Sequence, residues 1–241
     1  MYISEEQRSW LNFLQVASVP LRRIAANGMP DSVASGCVVN HRGKKFVLSV
    51  SHATGHGDGW AAEVKYDCEN GTLLYKFGVT NYLAQATLNS DQVEEVDFSY
   101  AEVPADFESW FQIVEPNGSI LSQTKRAEFN YTRHEPDVDA TYGFSGQVRT
   151  SIQGSNQLVS EMVVYPGLRF QHSKNGYHTF KLPVRHPGHD AFKGCSGAPI
   201  IDTNGRVVAL VCSGDMSDDT ITGVSLAKFG VALDVHVQSA D

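Results

Sequence analysis

The first twenty residues carry one helical pattern. Trp10, Leu11, Phe13, Leu14 and Ala17 fall at the spacing that lines one face of a helix. Ser4 with Gln7 three positions later has the form of a capping box, and Pro20 closes the segment. The pattern predicts a helix packed on a β-structure through its apolar stripe, with a partner-docking helix as the alternative.

From about Leu21 the pattern changes to short apolar runs broken by turn residues. The runs are Ala34 to Val39, Phe46 to Val50, Leu73 to Val79, Phe98 to Val103, Ala127 to Thr132, Leu158 to Tyr165, Ala198 to Ile201, Val207 to Cys212 and Val231 to Val235. Each is too short for a core helix and rich in the β-branched and aromatic residues of strands. Two turns stand out: His41-Arg42-Gly43-Lys44, and Asn204-Gly205, where Asn-Gly suits the positive φ angles of a tight hairpin. Many short strands and little helix predict an all-β barrel or sandwich protein. The segment from Glu115 to Lys125 opens with Pro116, Asn117 and Gly118, and is expected to cross between two halves.

Charge and composition narrow the function. Nineteen Lys and Arg against 27 Asp and Glu give a net charge of −8. An acidic chain without a basic cluster is poorly suited to nucleic acid or anionic membranes. The longest apolar runs are far shorter than a membrane helix needs. The acidic N-terminus, Glu5-Glu6 included, does not read as a secretory signal. Cys37, Cys68, Cys195 and Cys212 form no metal-type pair, and a chain of 241 residues needs no disulfide staple, so a cytoplasmic setting is the expectation.

The candidate chemistry lies in three places. In Lys193-Gly194-Cys195-Ser196-Gly197-Ala198-Pro199, a serine stands between glycines just before a strand. Such a turn brings a substrate carbonyl close to main-chain N–H groups, here those of Gly194 and Ser196. A serine needs a base, and His52 ends the strand from Lys45, before the glycine-rich residues 55–59. A base needs an orienting carboxylate, and Asp97 sits among apolar residues in Val96-Asp97-Phe98-Ser99. Taken singly, each reads as an ordinary loop serine, strand-end histidine or turn carboxylate.

In the order His52, Asp97, Ser196, at offsets of 45 and 99 positions, the chain resembles the trypsin/chymotrypsin-like serine peptidases. His52-Ala53 after its strand is similar to that family's Ala-Ala-His segment. Val96 to Ser99 resembles its Asp-x-Ala segment, and Gly194 to Pro199 its Gly-Asp-Ser-Gly-Gly-Pro. Ser35 to Val39 and Tyr142-Gly143-Phe144 extend the likeness, which covers roughly residues 30 to 235. The resemblance implies two six-stranded antiparallel β-barrels, with an N-terminal helix and first strand at 1–27, the first barrel at 28–122 and the second at 123–241. It implies a catalytic triad of His52, Asp97 and Ser196, an oxyanion hole at Gly194 and Ser196, and peptide-bond hydrolysis without a cofactor or metal. A gapless register puts Asp190 at the floor of the specificity pocket, with Cys212, Ser213 and Gly214 as its wall and Asp215, Asp218 and Asp219 nearby. That arrangement implies cleavage after Arg or Lys, against the alternative that Asp190 lies on a surface turn.

Two residues depart from the family pattern. Cys195 stands where digestive members carry an aspartate that pairs with a new N-terminal amine, so activation by cleavage is not expected. Ala53 replaces a disulfide cysteine. Both departures fit the intracellular, microbial-type branch. A thiol nucleophile at Cys195 and a metal at His186 and His189 are the weaker readings. An α/β-hydrolase needs its acid and histidine after the serine, and only 45 residues follow Ser196. A non-catalytic module of the same fold that binds a partner protein is the remaining alternative, and a protein or peptide substrate with a regulatory protein partner is compatible with the main one.

Overall fold

The computed structural model describes residues 4–26, 28–55, 59–86, 92–153 and 157–239. Residues 56–58 of the glycine-rich segment lie outside this range. The chain opens with α1 (Glu5–Ala17), then β1 (Val19–Ile24), β2 (Pro30–His41), β3 (Lys44–Ser49), a one-turn α2 (Ser51–Thr54), β4 (Trp60–Asp67), β5 (Gly71–Lys76), β6 (Asn81–Ala86) and β7 (Val93–Val103). A hairpin of β8 (Trp110–Val114) and β9 (Ile120–Lys125) follows, then β10 (Glu128–Asn130). The second half contains β11 (Tyr142–Gln153), β12 (Gln157–Lys174), β13 (Tyr177–Lys181), β14 (Pro199–Asp202), β15 (Val207–Asp215) and β16 (Thr220–Ser225), and ends in α3 (Leu226–Phe229) and α4 (Val231–Gln238).

The second half is a closed six-stranded barrel in the order β11-β12-β13-β16-β15-β14, with β14 pairing back onto β11. The first half is an eight-stranded sheet. Its path runs β5-β4-β1-β2-β3-β7-β6, and β10 adds to β2 in parallel. The expected six antiparallel strands are therefore not the arrangement here. Strand β1 stops pairing with β2 at Gly36, which leaves Val38 to Asn40 of the long β2 open to β10. Among the described residues the end strands β5 and β6 are not paired with each other.

Three cores hold these layers. Tyr142, Phe144, Leu168, Phe180, Ile200 and Ile221 fill the barrel. Val19, Leu21, Val38, Val47, Trp60 and Val103 form the core of the N-terminal sheet. Between the halves, Phe46, Leu48 and Phe98 pack with Leu14, Ile201, Leu210 and Leu233. Strand β3 is thus buried on both faces, which explains its unbroken run Phe46-Val47-Leu48 in place of an alternation.

The capping box of α1 is made: the Ser4 hydroxyl accepts from Gln7 N at 3.2 Å, and the Gln7 side chain accepts from Ser4 N at 3.1 Å. The helix docks on the barrel. Leu14 and Ala17 are fully buried, the Ser145 hydroxyl donates to Leu14 O, and Trp10 Nε1 donates to Asp202 O at 3.2 Å.

Three local expectations are corrected. Val231 to Val235 is helix, not strand. Its alternation of apolar residues reads as period 2, yet Ala232, Leu233 and Val237 face inward while Val231 and Val235 are exposed, and the interior side follows the helical repeat. Glu115 to Lys125 is the turn and second strand of the β8–β9 hairpin, because Gly118 N and Glu115 N close the loop on Glu115 O and Ser119 O. The tight two-residue turn falls at Arg42-Gly43, both at positive φ, and not at Asn204-Gly205. There the Asp202 carboxylate takes the Asn204 and Arg206 N–H groups and spans a longer loop.

Because Leu14 ties α1 to both halves, Leu14→Ala is expected to destabilise the protein by about 2–5 kcal/mol in chemical denaturation. A change below about 0.5 kcal/mol would place α1 outside the cooperative core.

Candidate active site

The Ser196 turn is shaped by two glycines at positive φ, Gly194 at 103° and Gly197 at 87°. Both also stand where a Cβ would clash: at Gly194 with Gln147 O, and at Gly197 with Ser35 O and the Ser49 hydroxyl. Within the turn Cys195 N donates to Phe192 O at 2.8 Å, Gly197 N to Val211 O at 2.8 Å and Ala198 N to Cys195 O at 2.9 Å. The N–H groups of Gly194 and Ser196 take no such partner among the described residues. These are the two donors singled out for an oxyanion.

The N-terminal sheet grips this turn through one residue. Ser35 N donates to Ser196 O at 2.9 Å, and the Ser35 hydroxyl donates to Gly194 O at 2.7 Å. Ser49 in turn donates its hydroxyl to Ser35 O at 2.7 Å. Both carbonyls flanking Cys195 are therefore fixed by β2.

His52 sits in α2, where β3 ends. Thr54 holds that turn by donating its hydroxyl to Val50 O at 3.0 Å. Asp97 lies in β7 across from it. One carboxylate oxygen accepts from His52 N at 2.9 Å and from the Ser51 hydroxyl at 3.1 Å. The other accepts from the imidazole Nδ1 at 2.7 Å. With Nδ1 donating, Nε2 is the accepting nitrogen, and it lies 3.0 Å from the Ser196 hydroxyl. Burial disfavours the charged form of Asp97, but the hydrogen bonds from the His52 ring and backbone outweigh it and hold the carboxyl below its ordinary range. Asp97 N donates to the Tyr177 hydroxyl at 3.3 Å, which links it to the barrel.

The structure thus brings His52, Asp97 and Ser196 together across the two halves. Cys212 lies against the Asp97 carboxylate, and burial together with that charge pushes its thiol well up. Cys195 is fully buried behind the turn, and burial pushes its thiol up to about 12. A protonated, enclosed thiol is a poor nucleophile.

The residues assigned to substrate recognition are more dispersed. Asp190 is exposed on a short 3-10 turn, His189–Ala191, and makes no hydrogen bond or ion pair among the described residues. Ser213 and Gly214 lie at the end of β15, paired with Thr222 and Ile221. The acidic residues that follow are engaged by their own chain: Asp215 accepts from Ser217, and Asp219 accepts from His186 N at 2.8 Å. His186 is buried beside Gly214, its Nδ1 accepts from Gly188 N at 3.0 Å, and its Nε2 has no partner among the described residues. His186 and His189 bring no third ligand, and no group of three or more metal-ligating side chains occurs among the described residues.

Sequence reading missed Ser35, Ser51 and Tyr177. Ser35 lies in the strand motif Ser35 to Val39, but nothing in a one-letter pattern marks its hydroxyl as the partner of a residue 159 positions away.

No protein-family model matches the sequence, and no curated protein is similar to it. Solved structures are similar in fold. A serine endoprotease from Yersinia pestis aligns over 100% of this chain and 67% of its own, at 10% identity and a TM-score of 0.54. Neuropsin, a serine protease of mouse brain, aligns over 93% and 96%, at 9% identity and a TM-score of 0.59.

The chain has the trypsin/chymotrypsin-like fold.

The tobacco etch virus protease in its product complex shares that fold with it, at 13% identity and a TM-score of 0.53 over 99% of this chain and 83% of that one. At identities of 9% to 13% the likeness is one of fold. None of the described helices is long and apolar enough to cross a membrane.

Proposed function

We propose that the chain is a serine endopeptidase acting through His52, Asp97 and Ser196. The observation that carries this reading is the relay of Asp97 Oδ2 to His52 Nδ1 at 2.7 Å and His52 Nε2 to Ser196 Oγ at 3.0 Å, beside two unengaged backbone N–H groups. In the reaction Ser196 Oγ attacks a peptide carbonyl while His52 Nε2 takes its proton. The carbonyl oxygen gains the electron pair and lies against the Gly194 and Ser196 N–H groups. His52 then gives the proton to the leaving amine. Water, deprotonated by the same imidazole, releases the acyl group and restores Ser196. Asp97 stays ionised throughout and stabilises the imidazolium.

A fluorophosphonate probe tests this directly. Wild type and Cys195→Ala are expected to label and Ser196→Ala is not. Asp97→Asn is expected to keep the fold and lose about four orders of magnitude in turnover, through loss of tautomer control. Labelling that follows Cys195, or wild-type protein that folds and never labels, would favour a thiol enzyme or a non-catalytic partner-binding module respectively.

The specificity reading shifts away from Arg and Lys. A desolvated carboxylate facing the substrate is what recognition of a guanidinium needs, and Asp190 is exposed while Asp215 and Asp219 are already engaged. A Cβ on Gly214 would collide with His186 Nε2 and crowd Ile221, so His186 already fills the space against Gly214. We therefore expect a short, uncharged residue before the scissile bond. A peptide-library profile checks this: wild type should prefer small residues, and His186→Ala should extend the preference to larger ones. Cleavage after Arg or Lys that disappears in Asp190→Ser would restore the basic pocket.

A further inference from the structure

Two arginines are enclosed where the N-terminal sheet meets the barrel, and neither belongs to the Ser196 site. Arg22 on β1 has a fully buried side chain. One terminal nitrogen donates to Glu63 at 3.3 Å, Gln147 at 2.9 Å and the Ser160 hydroxyl at 3.0 Å. Arg126, between β9 and β10, is 4% exposed. It donates to Ser18 O at 2.6 Å, just past the C-terminus of α1, and lies over the Phe111 ring at 5.5 Å. No carboxylate pairs with Arg126 among the described residues. The Nε of each arginine is buried and has no partner among the described residues.

The charges do not balance. Two guanidiniums face one carboxylate, Glu63, which pairs with Arg22. Burial brings the Arg126 pKa down to about 10, so it still holds its proton at neutral pH. A helix C-terminus and a ring face soften this charge but do not neutralise it. An uncompensated buried cation is strongly disfavoured, and proteins answer it with an anion.

Space for one lies alongside. A cavity of about 300 Å³ is lined by Arg126, Glu63 and Gln147 together with the apolar Trp110, Phe111 and Met162. Its size is at the lower end for small-molecule pockets, about 300–1,000 Å³. The net excess of one positive charge matches a monoanion, and Glu63 on the same wall repels a dianion. The guanidinium edge suits a planar carboxylate, and the aromatic wall suits an apolar body. We propose that this cavity is a binding site for a small organic monocarboxylate, with its carboxylate on Arg126 and its apolar part against Trp110, Phe111 and Met162.

The test uses the full chain and benzoate as the probe, followed by Trp fluorescence and by thermal unfolding. Benzamide and inorganic phosphate at matched ionic strength are the comparisons. Benzoate is expected to give a saturable fluorescence change and a higher melting temperature, and benzamide and phosphate neither. Arg126→Gln is expected to weaken benzoate binding about tenfold or more, the loss of a charge-assisted pair. Should that variant fail to fold, Met162→Trp narrows the apolar side with both arginines kept and is expected to weaken benzoate as well. The absence of saturable benzoate binding to wild type would overturn the proposal. So would equal binding of benzamide, binding of phosphate alone, or undiminished binding to folded Arg126→Gln and Met162→Trp.

Discussion

The arrangement of the site depends on Ser35. This one residue of β2 donates its N–H to the carbonyl of Ser196 and its hydroxyl to the carbonyl of Gly194. Its own carbonyl accepts from Ser49 on β3. Three hydrogen bonds at one buried position thus set the height and orientation of the turn that carries the candidate nucleophile. The turn has no freedom to move toward β2, since a single Cβ at Gly197 would already clash with Ser35. Two consequences follow. The Gly194 and Ser196 N–H groups take no backbone partner among the described residues, and the Ser196 hydroxyl arrives within reach of a histidine on α2, the turn that follows β3. A buried polar network of this kind is valuable only when fully satisfied, because each unpaired group inside the protein costs about 1–3 kcal/mol, more than the roughly 0.5–1.5 kcal/mol net gain of a typical hydrogen bond.

Much of the fold was legible in the sequence, for physical reasons that differ by element. The capping box of α1 could be read because its partners are three residues apart. Most strands from Ala34 to Cys212 could be read because their buried runs are apolar whatever they pack on. The motifs around His52, Asp97 and Ser196 could be read because each chemistry needs a particular residue type beside small neighbours. What could not be read is long-range. Strand β10 joins β2 rather than the barrel, and no local pattern records that pairing. Val231 to Val235 alternates like a strand, yet its inner face is set by Leu233 and Val237 meeting the interdomain core. Asp190, located by counting back from Ser196, stands exposed on the His189–Ala191 turn, while the burial of His186 beside Gly214 has no local signal in the sequence.

Buried charge organises the rest of the interface between the halves. Asp97 is held by three donor groups, the Ser51 hydroxyl, His52 N and His52 Nδ1, and remains below the ordinary carboxylate range. Arg22 is matched by Glu63, Gln147 and Ser160. Arg126 is the exception, with a carbonyl and a ring face but no anion. Gln147 touches both systems, since its side chain bonds Arg22 while its carbonyl backs Gly194. The same strand therefore borders the Ser196 turn and the arginine cavity.

The dependence of the site on β2 is most directly measured by the rate of fluorophosphonate labelling of Ser35→Ala. That variant keeps the backbone N–H bond to Ser196 and removes only the hydroxyl that holds Gly194 O. The account predicts a folded protein whose second-order labelling rate falls about tenfold, the effect expected when one buried hydrogen bond worth roughly 1–1.5 kcal/mol is lost from the reactive turn. A Ser35→Ala protein that labels at the wild-type rate would contradict it, and would show that the turn holds its shape without the Ser35 hydroxyl.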